Sequence, residues 1–484
     1  MKFPSFSDFK RLANQGNLVP LVMNLSADTE TPVSAYLKLT QGSHRFLFES
    51  MEGGQAWGRY SFLGSEPSLI LESQGQHIRL TQGKKIENLQ GDPLEFIQSM
   101  LAKYHPVAVE GLPRFSGGWV GYLSYDMVRF MEKLPKAIEQ ASPFPDARLM
   151  LQDSVIAFDN LEQKLSFIVQ VHLDAHLSLA KQYEKGKVRL MQMVKRLKRS
   201  LPASPPVSKK NLRLTANTSK AQYIDNVRQA QEYIRAGDIF QVVLSLRMEG
   251  KQRVDPFQVY RRLRQINPSP YLFCLQMGED ALAGSSPEVM VRLEGRQMTL
   301  RPIAGTRRRG KTLEHDLAME QEMLADPKER AEHIMLVDLA RNDLGRVAET
   351  GSVRVTRQMV VERYSHVMHL VSNVEGVARK EMNAMDVLKA TFPAGTLTGA
   401  PKIRAMEIIE GLEKDRRGPY GGCVGYFDFF GNMDMAITIR TLAFHKNRIF
   451  AQSGAGIVLD SIPEREYLEC ENKAKVMMEA LKQI

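Results

Sequence analysis

Apolar residues recur along this chain in two rhythms, and the rhythm changes at punctuated points. The stretches IFQVVLSLRM (239–248), YLFCLQM (271–277) and PEVMVRLEGRQMTLRP (287–302) are short and apolar or alternating, which predicts strands. The last turns at Glu294-Gly295 between two period-two runs, so it predicts a hairpin. Residues 219–236, 315–342, 383–389 and 463–482 carry helical spacing, and further strands are predicted at 421–430, 434–444 and 448–452. Strands meeting in hairpins, with helices collected elsewhere, predict an α+β fold over a doubly wound parallel sheet.

The first half ends on a basic amphipathic helix over 174–199, with Leu177, Leu179, Leu190, Met191, Val194 and Leu197 at roughly helical spacing. KRLKRSLPASPPVSKKN (195–211) then holds three prolines and six basic residues, as an exposed linker would. The organisation expected is a half over 1–200, a linker at 201–212 and a second half over 213–484. The halves also resemble each other. GSEPSLILESQGQHIRL (64–80) aligns without gaps on GSSPEVMVRLEGRQMTL (284–300), and GGWVGY (117–122) repeats later as GGCVGY (421–426). Two matches in the same order imply a duplication, hence two facing, mostly antiparallel β-sheets (an internally duplicated sandwich) with helices packed outside. Ser68 stands where the second copy has Glu288, so chemistry is expected in the second half.

With 43% hydrophobic and 25% charged residues over 484, the composition supports a large globular core. Sixty-five basic against 55 acidic residues leave +10, which admits nucleic acid, membranes or small anions as partners. Residues 185–199 have no aromatic residue among the basic ones, which argues against nucleic acid. Cys274, Cys423 and Cys470 are too few and scattered for a disulfide framework or a thiolate metal site. The opening MKFPSFSDFK has no apolar signal core and no charge-free apolar run approaches membrane length, so a soluble cytoplasmic protein is expected, with no membrane partner.

Two helices carry paired carboxylates. Asp326-Pro327 opens KERAEHIMLVDLARNDLG, with Glu329 and Glu332 three apart on one face; Pro463 opens a second helix with Glu466 and Glu469 spaced alike. IMLVDLA is apolar nearly all round, which predicts a buried helix. An isolated E-x-x-E pair is usually a solvated face. Two pairs accompanied by the glycine-rich runs TFPAGTLTGAPKIRAM (391–406), RRGPYGGCVGYF (416–427) and AQSGAGIVLD (451–460) point to a hard, oxygen-liganded ion such as Mg²⁺ beside a small anion. RPIAGTRRRG (301–310) adds Gly305, Thr306 and four arginines.

RFLFESMEGGQAWGRYSFLG (45–64), SSPEVMVR, RPIAGTR, EHIMLVDLARNDLGRV (332–347), YSHVMHLVSNVEG (364–376), FPAGTLTGAPKIRAMEIIE (392–410), RRGPYGGCVGY and GAGIVLDS occur in this order. Together they resemble the chorismate-utilising enzymes, and within them component I of anthranilate synthase, over nearly the whole chain. The resemblance implies Glu332 and Glu469 as direct Mg²⁺ ligands, with Glu329 and Glu466 supporting. It implies chorismate-binding roles for Gly305, Thr306, Tyr420, Arg440 and the Gly454-Ala455-Gly456 backbone, with Thr396 and Lys473 lining the pocket. Arg440 suits the pyruvyl carboxylate because a guanidinium can meet it bidentately. Glu288 is similar in position to the acid that protonates the departing 4-hydroxyl, and His369 to the base that removes the C2 proton, while His366 is read as structural. The implied reaction is attack of ammonia at C2 with loss of the 4-hydroxyl, then loss of that proton and of pyruvate, giving anthranilate.

Gln241 stands where water-using relatives carry a lysine, and Ala304 in PIAGT where aminodeoxychorismate synthase carries one, so anthranilate synthase is preferred over that alternative. The family's motifs for L-tryptophan, its feedback inhibitor, are matched by LFES and NPSPYLF, which implies Glu49, Ser50, Pro270, Tyr271 and Leu272 as inhibitor contacts. None of the three cysteines fits a glutaminase nucleophile, so a separate glutamine amidotransferase subunit (component II) is the expected partner, in a hetero-oligomer.

Overall fold

In a computed structural model, residues 4–51, 58–135, 138, 142–203, 213–364 and 367–482 are described. His366, and the predicted linker from residue 204 onward, lie outside them. Two twelve-stranded sheets, antiparallel in every registered strand pair, lie face to face, as the α+β expectation required. Phe46, Phe62, Phe115, Tyr122, Phe273 and Tyr426 fill the layer between them. Phe62 from one sheet meets Tyr426 from the other edge-on at 6.1 Å between centroids. Helices cover the outer faces, where each sheet has its own core. Trp119 is fully buried in one of these cores, and truncating it to alanine would cost about 3–5 kcal/mol.

The halves do not keep to separate sheets. In the first sheet, strands Leu18–Ser26, Lys164–His172, Ser154–Asp159, Tyr60–Ser65 and His44–Glu49 run inward to meet Tyr271–Met277, Asp280–Ser286, Thr441–His445, Arg448–Ile457 and Gln241–Lys251 in the reversed order. The second sheet is arranged likewise about the pair Gly118–Leu123 and Cys423–Asp428. The duplication therefore appears as a pseudo-twofold axis. It passes through Leu47 opposite Cys274 in one sheet and Gly121 opposite Gly425 in the other. Glycine is required at that second crossing. A Cβ on Gly121 would come within 2.0 Å of the Arg148 carbonyl oxygen, and one on Gly425 within 2.0 Å of that of Asp434.

The helical stretch over 315–342 is two helices, Leu313–Ala325 and Pro327–Gly345, the second opening at Asp326-Pro327 as expected, with Asp326 capping it through Lys328 N (3.0 Å) and Glu329 N (3.3 Å). Two sequence expectations need correction. The IMLVDLA turns are not buried all round: Leu336, Val337 and Ala340 are buried, but Ile334 is 44% exposed. The strand predicted over 434–444 is broken into Met433–Ile437 in one sheet and Thr441–His445 in the other. The chain changes sheet at Arg440, whose φ of 50° is unusual for a non-glycine residue.

Candidate active site

The polar side chains singled out above collect where the chain passes from one sheet to the other. Glu288 lies between Asp280–Ser286 in the first sheet and Val289–Glu294 in the second, and Arg440 lies at the return crossing. Crossings break the ladder, so their side chains can point into space that continuous strands would fill. Gly454 and Gly456 on Arg448–Ile457, Thr396 on the short helix Gly395–Thr398, and His369 on Val367–Val377 complete the ring.

Glu288 is buried, with the Thr396 hydroxyl donating to Oε1 at 2.8 Å. Burial drives its carboxyl up from 4.5 to about 7, against smaller opposing effects of that hydrogen bond and the Lys473 charge. A carboxylic acid that is half protonated near neutrality is equipped to donate a proton.

Across the site the His369 ring places Nδ1 2.8 Å from the Gly305 carbonyl oxygen and 3.1 Å from Thr306 Oγ1. A carbonyl can only accept, so Nδ1 carries hydrogen and Nε2 keeps its lone pair. Burial, with some repulsion from Arg440, holds the imidazole below 6.5 despite the raising effect of the Gly305 bond. It is therefore a neutral base near pH 7. Gly305 has φ of 62° and follows a register shift after Ala304, which is how its carbonyl comes to face the ring.

Arg440 donates to the Lys473 carbonyl oxygen at 3.1 Å and makes no ion pair among the described residues. A desolvated guanidinium without a carboxylate is a place for an anion, and burial lowers its proton affinity. Tyr420 stands beside it; a Cβ on Gly454 would come within 2.7 Å of the tyrosine oxygen, and one on Gly456 within 2.4 Å of Gln241 Nε2. Both glycines keep this wall low. Ala455 points its methyl group into the outer core, so it offers the site only its backbone. Lys473 bridges Glu469 (2.7 Å) and the Gly454 carbonyl oxygen (2.9 Å).

The two carboxylate pairs face one another at the mouth. Glu332 is raised by burial and then by the charges of Glu329 and Glu469; Glu466 is raised by burial and by Glu469. Among the described residues no three such groups close on a common ion position. Arg307 instead holds Glu329 at 2.9 Å, together with Asp326 at 3.0 Å and Glu322 at 3.1 Å. Mutually repelling carboxylates are the donor set a hard divalent cation takes, so the residues present fit Mg²⁺. The Arg307 clamp was not foreseen, because an arginine-rich loop reads as plain surface charge until its partners are known.

A second cavity lies between the sheets near the pseudo-twofold axis, and Glu49, Ser50, Pro270, Tyr271 and Leu272 all line it. The strand register puts Leu272 opposite Glu49. Arg264 grips the Glu49 carboxylate at 3.0 and 3.2 Å, and Tyr260 donates to it. Tyr271 donates at 2.8 Å to Asp434, which also pairs with Arg292 at 2.9 Å. Arg264, Asp434 and Arg292 carried no signal in the sequence, being isolated charges in ordinary element patterns.

Residues 43–479 match the family described as chorismate binding enzyme. The chain belongs to the chorismate-binding enzymes. Within them it stands with anthranilate synthase component 1. It is 48% identical to that protein of Aquifex aeolicus over 488 residues, covering 99% of this chain and 97% of the relative. It is 44% identical to that of Acetivibrio thermocellus over 496 residues, covering 100% and 99%. The crystal structure of anthranilate synthase component I from Streptococcus pneumoniae superposes with a TM-score of 0.79 at 36% identity, over 94% of this chain and 99% of that one. The menaquinone-specific isochorismate synthase of Escherichia coli, at 18% identity and a TM-score of 0.73, covers 98% of each chain and shares the fold. As a chorismate-binding enzyme, the chain has among its described residues no helix long and apolar enough to cross a membrane.

Proposed function

We propose that this chain is the ammonia-using subunit of an anthranilate synthase, converting chorismate and ammonia to anthranilate and pyruvate, the first step of tryptophan biosynthesis. The observation that carries the mechanism is a buried acid and a neutral base in one ring of residues. Arg440, Tyr420 and the backbone of Gly454–Gly456 hold the pyruvyl end, and Gly305, Thr306 and Lys473 hold the rest of the substrate. Glu288, with a pKa near 7, gives its proton to the departing 4-hydroxyl, and Thr396 keeps the carboxyl aimed. His369 Nε2 removes the C2 proton after amination, its tautomer fixed by the Gly305 carbonyl. Glu332 and Glu469, supported by Glu329 and Glu466, would hold Mg²⁺, which supplies positive charge to the substrate's ring carboxylate. Ala304 leaves C2 open to ammonia, and Gln241 cannot activate water as a lysine could.

The ammonia comes from elsewhere. All three cysteines are buried, and burial pushes the Cys423 and Cys470 thiols up to about 12 and Cys274 still further. None is a nucleophile for glutamine. A separate amidotransferase subunit supplies ammonia in a cytoplasmic hetero-oligomer, and L-tryptophan inhibits from the cavity lined by Glu49, Ser50, Pro270, Tyr271 and Leu272. The test is anthranilate fluorescence from purified chain, chorismate and Mg²⁺. Ammonium salt supports turnover that EDTA abolishes, and glutamine alone supports none. Turnover on glutamine alone would refute the division between subunits.

A further inference from the structure

The pseudo-twofold axis has a second consequence, because it gives the catalytic wall a counterpart in the first half. Strand Lys164–His172 and helix Leu179–Leu197 correspond, residue for residue and without a gap, to strand Arg448–Ile457 and helix Pro463–Ala480. Lys185 then stands where Glu469 stands, Gln182 where Glu466 stands, and Arg189 where Lys473 stands. The registers Phe62 opposite Ala157 and Leu282 opposite Ala443 place Ser154 at the position of Arg440. One carboxylate of the catalytic wall has become a lysine and the other a neutral amide.

This counterpart is an open cleft of about 880 Å³, not a filled core. Ser65, Glu66, Ser154, Lys185, Arg189 and Arg196 contribute its polar lining. The Ser154 hydroxyl is buried, the residue 5% exposed, and has no hydrogen-bond partner among the described residues. Ser65 Oγ accepts from Gln41 N at 3.2 Å, which leaves its own hydrogen to donate. Arg196 is paired with Glu66 at 2.6 Å, but Lys185 and the half-buried Arg189 have no ion pair among the described residues. Three cations thus face one carboxylate, with two hydroxyl donors between them.

We propose that this cleft is a binding site for a small multivalent oxyanion, a di- or tricarboxylate or a phosphate, taken up without a metal. In the catalytic half an anionic substrate has to be reconciled with a wall of carboxylates, which is why a divalent cation suits it. Here Lys185 supplies that positive charge directly, and Arg189 with Ser154 supplies donors that no described residue satisfies. An anion accepting charge-assisted bonds from Arg189 and Lys185 meets the unpaired groups together. The cleft is separate from the cavity lined by Glu49 and Tyr271, and the inference does not depend on which reaction the other half performs.

The test is calorimetric titration of the full chain, freed of divalent metal on a chelating resin, at constant ionic strength set with KCl, once with citrate and once with inorganic phosphate. Removing the metal suppresses metal-dependent binding at the catalytic half, and constant KCl holds general screening fixed. The expected result is saturable one-to-one binding of one of the two anions, which identifies the class. Arg189→Gln and Lys185→Glu each weaken it at least tenfold, Ser154→Ala several-fold, and Arg440→Gln leaves it in place. Lys185 is exposed, so its substitution leaves the fold intact and keeps the test valid if Arg189→Gln proves unstable. Absence of saturable binding with both anions overturns the proposal. So does binding that survives Lys185→Glu or that disappears in Arg440→Gln.

Discussion

Glu288→Gln separates what the site costs from what it does. The wild-type carboxyl is held near 7 by burial, against 4.5 when the chain is unfolded. The sign follows from linkage. The folded state binds this proton more tightly, so the contribution to stability is greatest at low pH and is lost as pH rises from 4.5 through about 7. At 1.36 kcal/mol per pH unit the full difference is about 3 kcal/mol, of which about 2 kcal/mol develops between pH 5.5 and 8. Glutamine has nearly the same shape, can still accept from Thr396 and never ionises. In urea titrations of metal-free protein the variant should therefore gain on wild type by about 2 kcal/mol between those two pH values. Its turnover should fall by about 10²–10⁴-fold, the usual contribution of a positioned acid. A stability difference that does not change with pH would refute the assignment of Glu288 as a buried acid with raised proton affinity. Undiminished turnover would refute its role.

Other consequences are as direct. Arg440→Gln should raise KM for chorismate by about 10–100-fold, since a charge-assisted bond to a carboxylate is worth about 1.5–3 kcal/mol; an unchanged KM in steady-state kinetics would remove Arg440 from the binding set. The acid limb of kcat/KM should lie below pH 6.5, because burial favours neutral His369; a limb above 7, with ammonia concentration corrected at each pH, would contradict the neutral-base assignment. Ser50→Phe, which pushes a ring into the second cavity, should raise the tryptophan concentration for half-inhibition more than tenfold, as read from anthranilate fluorescence. An unshifted inhibition curve would place the inhibitor elsewhere.

Much of this was legible in the sequence for identifiable reasons. Glu294-Gly295 set a hairpin, Asp326-Pro327 and Pro463 set helix starts, and the repeat of GGWVGY as GGCVGY marked a duplication. That repeat also fixed the glycines at the crossing of the pseudo-twofold axis, where only a hydrogen fits between strands. What stayed hidden depends on partners distant in the chain. Periodicity along a strand cannot tell that the chain changes sheet at Arg440, because both sheets bury their faces and the apolar pattern continues across the crossing. The sharing of both sheets by both halves was hidden for the same reason. The Arg307 clamp on Glu329 and the Arg264 grip on Glu49 join residues on different elements, and single charges give no local signal. The one-sided burial of IMLVDLA shows the limit of apolar count: a helix packed on one side exposes apolar residues that a core helix would bury.

Acid and base divide the proposed reaction between Glu288 and His369. The most direct measurement is the mass spectrum of products formed from chorismate, Mg²⁺ and ammonium by wild type and the two variants. Wild type should give anthranilate and pyruvate, and Glu288→Gln should leave chorismate unreacted. His369→Gln should give an aminated, non-aromatic product that still carries the pyruvyl group. A single common product from both variants, or full conversion to anthranilate by His369→Gln, would contradict this division.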